Sequence, residues 1–71
     1  MNQSSVQWVY ANGSSWVALD EATGQQIETL WSRHAAGWIQ SSMFKDLIYV
    51  DTVEMILFTE SFSFTIARTT N

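Results

Sequence analysis

Residues 23–35 are the only segment of this chain whose apolar positions follow a helical period, and the remainder is typical of strands and turns. In this segment one face recurs at i, i+3, i+4 and i+7, as in an amphipathic helix. Its members are Ile27, Leu30, Trp31 and His34. A helix this short is not stable alone in water, so we expect this face to pack against the surrounding strands.

Two local signals set the predicted ends of the helix. Thr23, followed three residues later by Gln26, fits a capping box, and Gly37 is a typical stop after a helix C-terminus. The acidic pair Asp20 and Glu21 precedes the predicted start, where negative charge is favourable. We therefore interpret this pair as part of the helix start rather than as paired catalytic acids.

Six other segments have the alternation, or the β-branched and aromatic content, of strands. They are residues 6–10, 16–19, 38–41, 47–50, 54–59 and 62–68. The first two are joined at Asn12-Gly13, a strong hairpin signal. One face of the last strand carries Phe62, Phe64, Ile66 and Arg68. If this strand is an edge, its phenylalanines favour self-association through strand pairing.

One helix and six strands predict a single α+β domain, in which a curved six-stranded antiparallel half-barrel wraps around the helix. Residues 1–5 form a polar tail, and residues 6–70 form the domain. A chain of 71 residues needs a dense core, which four Trp, four Phe and two Tyr can supply. We expect the tryptophans to pack in that core.

The charge balance excludes several classes of function. The net charge is −4, and the basic residues Arg33, Lys45 and Arg68 are scattered along the chain. DNA binding needs several cations on one face, and an anionic membrane attracts basic segments, so neither partner is expected. The chain has no Cys and no recognisable signal peptide or spanning segment, which predicts an intracellular protein, nuclear or cytoplasmic.

No enzyme motif is present. His34 is the only histidine, and without a neighbouring nucleophile or a cluster of acids it is interpreted as structural rather than as a base or a metal ligand. We therefore expect no catalytic residue, no metal and no cofactor. Tyr10 and Tyr49 remain candidates for a pocket at the mouth of the half-barrel, because a half-exposed ring makes a stacking platform; core packing is the alternative.

Together, the two tryptophan strands and the helix resemble the WWE domain, a module named for two tryptophans and a glutamate. Residues 8–28, WVYANGSSWVALDEATGQQIE, resemble the family's opening pattern, with Trp8, Trp16 and Glu28 as its signature positions. Residues 47–58, LIYVDTVEMILF, resemble its Tyr-x-(Val/Ile)-Asp-x-x-x-Met strand pair. The resemblance covers nearly the whole chain and implies the half-barrel fold.

The resemblance also implies a function. WWE domains occur in ubiquitin ligases and ADP-ribosyltransferases, and several bind the iso-ADP-ribose unit of poly-ADP-ribose at the barrel mouth. By position, Tyr10 and Tyr49 match the pocket tyrosines, and Arg68 matches a late basic residue. Phe58 stands where the family has a Gln, and Phe64 stands where it has an Arg.

These two replacements remove polar groups that a pyrophosphate and its riboses need. We therefore expect a non-catalytic interaction module with its poly-ADP-ribose site weakened or lost, binding a protein partner instead. The alternative is a reader of the ADP-ribose unit. Under either hypothesis the candidate ligand-binding residues are Tyr10, Tyr49, Phe58, Phe64 and Arg68.

Overall fold

The polypeptide forms one α-helix and six β-strands in the computed structural model, which describes residues 6–70. In chain order the elements are β1 (Val6–Ala11), β2 (Trp16–Ala18), α1 (Glu21–Ser32), β3 (Ala36–Ile39), β4 (Ile48–Asp51), β5 (Ile56–Phe58) and β6 (Ser63–Thr70). The α+β class and the six antiparallel strands with one helix are confirmed. The predicted polar tail, residues 1–5, lies outside the described residues.

All six strands belong to one antiparallel sheet with the order β2-β1-β6-β5-β4-β3. Strands β3 to β6 form a meander, and α1 carries the chain from β2 at one edge to β3 at the other. The last strand, β6, pairs with β1 on one side and with β5 on the other. Self-association through the last strand was predicted on the condition that this strand lies at an edge of the sheet. Because β6 is paired on both sides, that condition is not met.

The core lies between α1 and the sheet face that it covers, and the helix packs mainly on β1 and β3. Ile27, in the middle of the helix, is fully buried. The buried apolar side chains are Trp8, Leu19, Ile27, Ile39, Ile48, Val50, Leu57 and Ile66. At roughly 1.5–3 kcal/mol for each large apolar side chain, this burial is the main favourable term in folding.

The four tryptophans have different environments. Trp8 is buried, whereas Trp16 on β2 and Trp38 on β3 are 56% and 69% exposed. Trp31 on α1 is 36% exposed and only partly covered. The prediction that the tryptophans lie in the core is therefore wrong for Trp31 and, above all, for Trp16 and Trp38. Both belong to edge strands and point away from the face that carries the core, so nothing in the described residues covers them.

The helix begins earlier than predicted because Asp20, not Thr23, is its N-cap. The Asp20 carboxylate accepts hydrogen bonds from the backbone N–H of Thr23 at 3.3 Å and from its hydroxyl at 2.6 Å. Thr23 is fully buried in the first turn, where its hydroxyl also bonds to that of Ser41 at 2.6 Å. The predicted capping box is therefore wrong, while the interpretation of Asp20 as part of the helix start is confirmed.

The helix also ends earlier than predicted, through a Schellman motif. The N–H groups of His34 and Ala35 donate to the carbonyls of Trp31 and Leu30 at 3.0 and 2.9 Å. His34 has a φ of 53° and is exposed beyond the helix, so it does not belong to the apolar face. Gly37, the predicted stop, lies in β3.

Two side chains fix the turns beside β5. The Asp51 carboxylate accepts from the N–H groups of Val53 and Glu54 at 2.9 and 3.0 Å, which makes residues 52–55 a turn rather than the start of a strand. At the other end of β5, the Thr59 hydroxyl accepts from the N–H groups of Ser61 and Phe62 at 3.3 and 2.9 Å. The second turn presents Phe62 to solvent.

Candidate functional site

Strand register distributes the predicted site residues over both faces of the sheet. Trp8 lies opposite Arg68 and Tyr10 lies opposite Ile66, on the face that α1 covers. Tyr49 lies opposite Phe58 on the other face, because its neighbours Ile48 and Val50 point into the core.

The first location is centred on Glu28, in the third turn of α1. Its Oε1 accepts from Trp8 Nε1 at 2.8 Å and from Arg68 Nε at 2.9 Å, and its Oε2 accepts from Arg68 Nη2 at 2.6 Å. The Arg68 guanidinium also lies 4.0 Å from the centre of the Trp31 ring. The structure thus brings together Trp8 and Glu28 of the signature, while Trp16 lies apart on the edge strand.

These contacts determine the electrostatics of this location. The hydrogen bond from Arg68, assisted by the one from Trp8, lowers the pKa of Glu28 despite its partial burial. The same bond raises the pKa of Arg68. The Arg68 guanidinium uses two of its five N–H donors on one carboxylate and stacks on an indole, so a phosphate would have to compete with these contacts.

The second location is an aromatic cluster at the end of the sheet where β1 ends and β6 begins. Tyr10 packs against Phe44 and Phe64, with ring centroids 5.7 and 5.2 Å apart, and Phe62 lies 6.2 Å from Phe64. We call Tyr10, Phe44, Phe62 and Phe64 the inner aromatic cluster. Tyr10, Phe44 and Phe64 are half-buried, whereas Phe62 is 67% exposed.

Beside this cluster the β3–β4 loop and the β5–β6 turn border an open cavity of about 290 Å³, which we call the end cavity. Its apolar lining includes Phe44, Leu47, Phe62 and Phe64. Its charged lining consists of Lys45, Asp46 and Glu60. The cavity is therefore apolar with a net negative rim, which suits an apolar side chain better than a pyrophosphate.

The third location is the uncovered face of the sheet. Trp38, Tyr49 and Phe58 lie side by side on β3, β4 and β5, with ring centroids 5.2 and 6.3 Å apart, and we call them the outer aromatic row. Trp38 and Phe58 are exposed and Tyr49 is half-buried. A groove of about 490 Å³ along the row is also lined by Asp46, Leu47, Thr59 and Glu60.

The residues predicted to form one pocket thus lie in three places. Tyr10 and Phe64 meet in the inner aromatic cluster, and Tyr49 and Phe58 meet in the outer aromatic row. Arg68 lies four residues beyond Phe64 on β6, about 13 Å at roughly 3.3 Å per residue.

Sequence reasoning missed Phe44, Leu47 and Trp38. Phe44 and Leu47 lie in the β3–β4 loop, where no periodicity distinguishes a lining residue from a solvated one. Trp38 is on a short edge strand, and its position beside Tyr49 follows from strand pairing, which a local pattern does not reveal.

The remaining chemistry of residues 6–70 is limited. No group of three or more His, Cys, Asp or Glu side chains in this range is arranged to hold a metal ion. No helix in the same range has the length and apolar character needed to cross a membrane.

Comparison with protein-family models, with curated proteins and with solved structures finds no match for this chain.

Proposed function

We propose that this chain is a non-catalytic, WWE-like interaction module of a ubiquitin-ligase or ADP-ribosylation protein, and that its end cavity binds an apolar segment of a protein partner. The proposal includes a finer description of the fold, a half-barrel curled around α1. The covered face, with Ile27 at its centre and the helix spanning from edge to edge, supports that description. The sequence resemblance supports the family and the kind of parent protein.

The choice of a protein partner over a nucleotide rests on one observation. Arg68, the late basic residue, is already bound within the domain. Arg68 donates to both oxygens of Glu28 and stacks on Trp31, far from the inner aromatic cluster along β6. Lys45 is the one cation that lines the end cavity, and Asp46 and Glu60 line it as well. A pyrophosphate needs several charge-assisted donors, so its binding is opposed here.

An apolar segment suits the same cavity. Leucine-sized and aromatic side chains gain by leaving water for a pocket lined by Phe44, Leu47 and Phe64, and such anchors dominate binding at protein interfaces. Phe62 also lines the cavity and is exposed, so its ring is available to contact a bound side chain.

The test is a peptide-display selection against the immobilised domain, followed by affinity measurements on two variants. Phe62→Ala should weaken the selected peptides about tenfold or more, because it removes an aromatic contact in the cavity lining. Val53→Ala is the matched control: Val53 is similarly exposed, at 65% against 67%, but belongs to the turn at the opposite end of β5.

Selected peptides that bind both variants equally would refute the end cavity as the binding site, and so would a selection that enriches no peptide. Both variants change exposed side chains outside the strands, so each should keep the wild-type amide spectrum.

The alternative function, a reader of the ADP-ribose unit, is supported by Lys45 and by the aromatic rings beside the cavity. It is tested by titrating the labelled domain with iso-ADP-ribose, ADP-ribose and ATP while following backbone amides by NMR. We expect no saturable shifts. Shifts that cluster at Tyr10 and Lys45 would establish the nucleotide site and overturn the choice of an apolar peptide.

A further inference from the structure

The outer aromatic row lies on the face of the sheet opposite the helix, and negative charge borders it. Asp46 and Glu60 line the same groove as the three rings, and both are exposed. Within residues 6–70 the one ion pair joins Arg68 to Glu28, so neither groove carboxylate has a cationic partner there. No Lys, Arg or His of this range lines the groove.

The combination of aromatic rings and carboxylates in this groove favours a positively charged ligand. The face of an aromatic ring is negative, and indole is the strongest of the three rings in attracting a cation. Trp38 and Tyr49 pack edge to face at 71°, so their ring faces point in different directions, and Asp46 and Glu60 line the same groove. An anion or an acidic segment is repelled from the same groove.

Among cations, the guanidinium group fits these features best. It is planar, so it stacks on a ring face, and its fork of N–H donors can reach a carboxylate at the same time. An ammonium group is more strongly hydrated and offers no plane to stack. A second copy of this chain is a poor source of the cation, because two domains that each carry a net charge of −4 repel one another.

We infer that the outer aromatic row, with Asp46 and Glu60, is a docking site for an arginine-bearing segment of another protein. The site goes beyond the proposed function. Its rings lie on the other face of the sheet and include none of the inner aromatic cluster, while Asp46 and Glu60 line both the groove and the end cavity.

The experiment uses two short acetylated and amidated peptides of glycine and serine that differ in one central residue, arginine or its uncharged isostere citrulline. Each is titrated into the ¹⁵N-labelled domain while the indole N–H signals are followed. The arginine peptide should shift the Trp38 indole signal and bind about fivefold tighter than the citrulline peptide.

Variants separate the aromatic and acidic contributions. Trp38→Ala should abolish saturable binding, whereas Trp16→Ala, which removes the other exposed edge-strand tryptophan, should leave it unchanged. Asp46→Asn combined with Glu60→Gln should reduce the preference for the arginine peptide, because only the ring faces then favour the cation. These two side chains are exposed, so the double variant keeps the fold and tests the charge alone.

Three results would overturn the inference. Equal affinity of the two peptides for the wild-type domain would show that charge is not recognised. Arginine binding that survives Trp38→Ala would place the cation elsewhere. Trp38 shifts that grow with domain concentration in the absence of peptide would show that a second copy occupies the row. None of these three results affects the peptides whose binding depends on Phe62. The arginine site can therefore be refuted without refuting the end cavity as a peptide site.

Discussion

Glu28 joins three elements of the fold through one carboxylate. It belongs to α1, and it accepts hydrogen bonds from Trp8 of β1 and from Arg68 of β6, which are directly opposite each other in the sheet. The Trp8 indole N–H is thereby satisfied in a side chain that is 1% exposed. Without this acceptor, the domain would bury an unpaired donor in its core.

Replacing Glu28 with Gln is predicted to weaken the domain at neutral pH. An amide can still accept from Trp8, but it loses the charge that holds Arg68. With a discount for its partial exposure, we expect a loss of about 1–2 kcal/mol in the free energy of unfolding. Urea unfolding followed by tryptophan fluorescence measures this loss. Glu54→Gln, in an exposed turn, is the control and should leave the curve unchanged.

The same variant tests the pH dependence. Because folding lowers the pKa of Glu28, its contribution is present above the ordinary Glu value of about 4.3 and is lost as pH falls through the lower folded value. The wild-type domain should therefore lose more stability between pH 7 and pH 3 than Glu28→Gln does. Asp20, whose pKa the Thr23 hydroxyl lowers, leaves some acid sensitivity in both. Equal losses in the two proteins would contradict this assignment.

At the scale of the element, the end of α1 depends on a residue that is poorly suited to its conformation. His34 has a φ of 53°, where a side chain with a Cβ is strained and glycine is not. His34→Gly is predicted to stabilise the domain by about 1 kcal/mol, seen as a higher melting temperature. His34→Ala keeps the Cβ and should give no such gain. A gain from alanine equal to that from glycine would contradict the backbone explanation.

The strands show why the elements could be predicted better than the faces of the site. In residues 47–50, LIYV, every position is apolar, so the alternation that should show which way Tyr49 points is missing. Phe58 ends a similar apolar run. For Phe64, the polar neighbours Ser63 and Thr65 keep the alternation visible. Phe64 meets Tyr10, as two residues on one face of one pocket should.

The sequence did not fix the start of the helix, because two residues fit the N-cap position. Asp20 and Thr23 are both good N-cap residues, and they are three positions apart, so either one can bond to the first turn of a helix. Burial decides between them, because Thr23 is enclosed and bonded to Ser41 from another part of the chain. Sequence alone does not contain that contact.

At the scale of the whole molecule, the total stability is so small that a single core side chain contributes a large part of it. A domain of 71 residues has a total stability of order 4–11 kcal/mol at roughly 0.05–0.15 kcal/mol per residue. Ile27→Ala, which empties the space between helix and sheet, is predicted to cost about 2–5 kcal/mol. Equilibrium urea unfolding measures that cost, and Gln25→Ala, an exposed change on the same helix, should leave stability nearly unchanged. A loss below 1 kcal/mol for Ile27→Ala would mean that α1 is not the centre of the core.

Strand order is the global feature that the sequence did not reveal. The contact between Arg68 and Glu28 joins residues that are 40 positions apart in the sequence. This contact holds the Arg68 side chain away from the predicted pocket. The exposure of Trp16 and Trp38 also depends on strand order, because the pairing of β6 with β1 leaves β2 and β3 as the two edges of the sheet. Such long-range pairings have no local sequence signal.

The position of β6 also has a consequence for synthesis. Among residues 6–70 it is the last strand in chain order, yet it is the strand that joins β2-β1 to β5-β4-β3 in the sheet. A growing chain that has delivered residues up to the β5–β6 turn therefore holds two separate pieces of sheet, each with an open edge. The sheet forms as one unit only when residues 63–70 are available to pair with both pieces, so this domain cannot complete its fold before those residues have been synthesised.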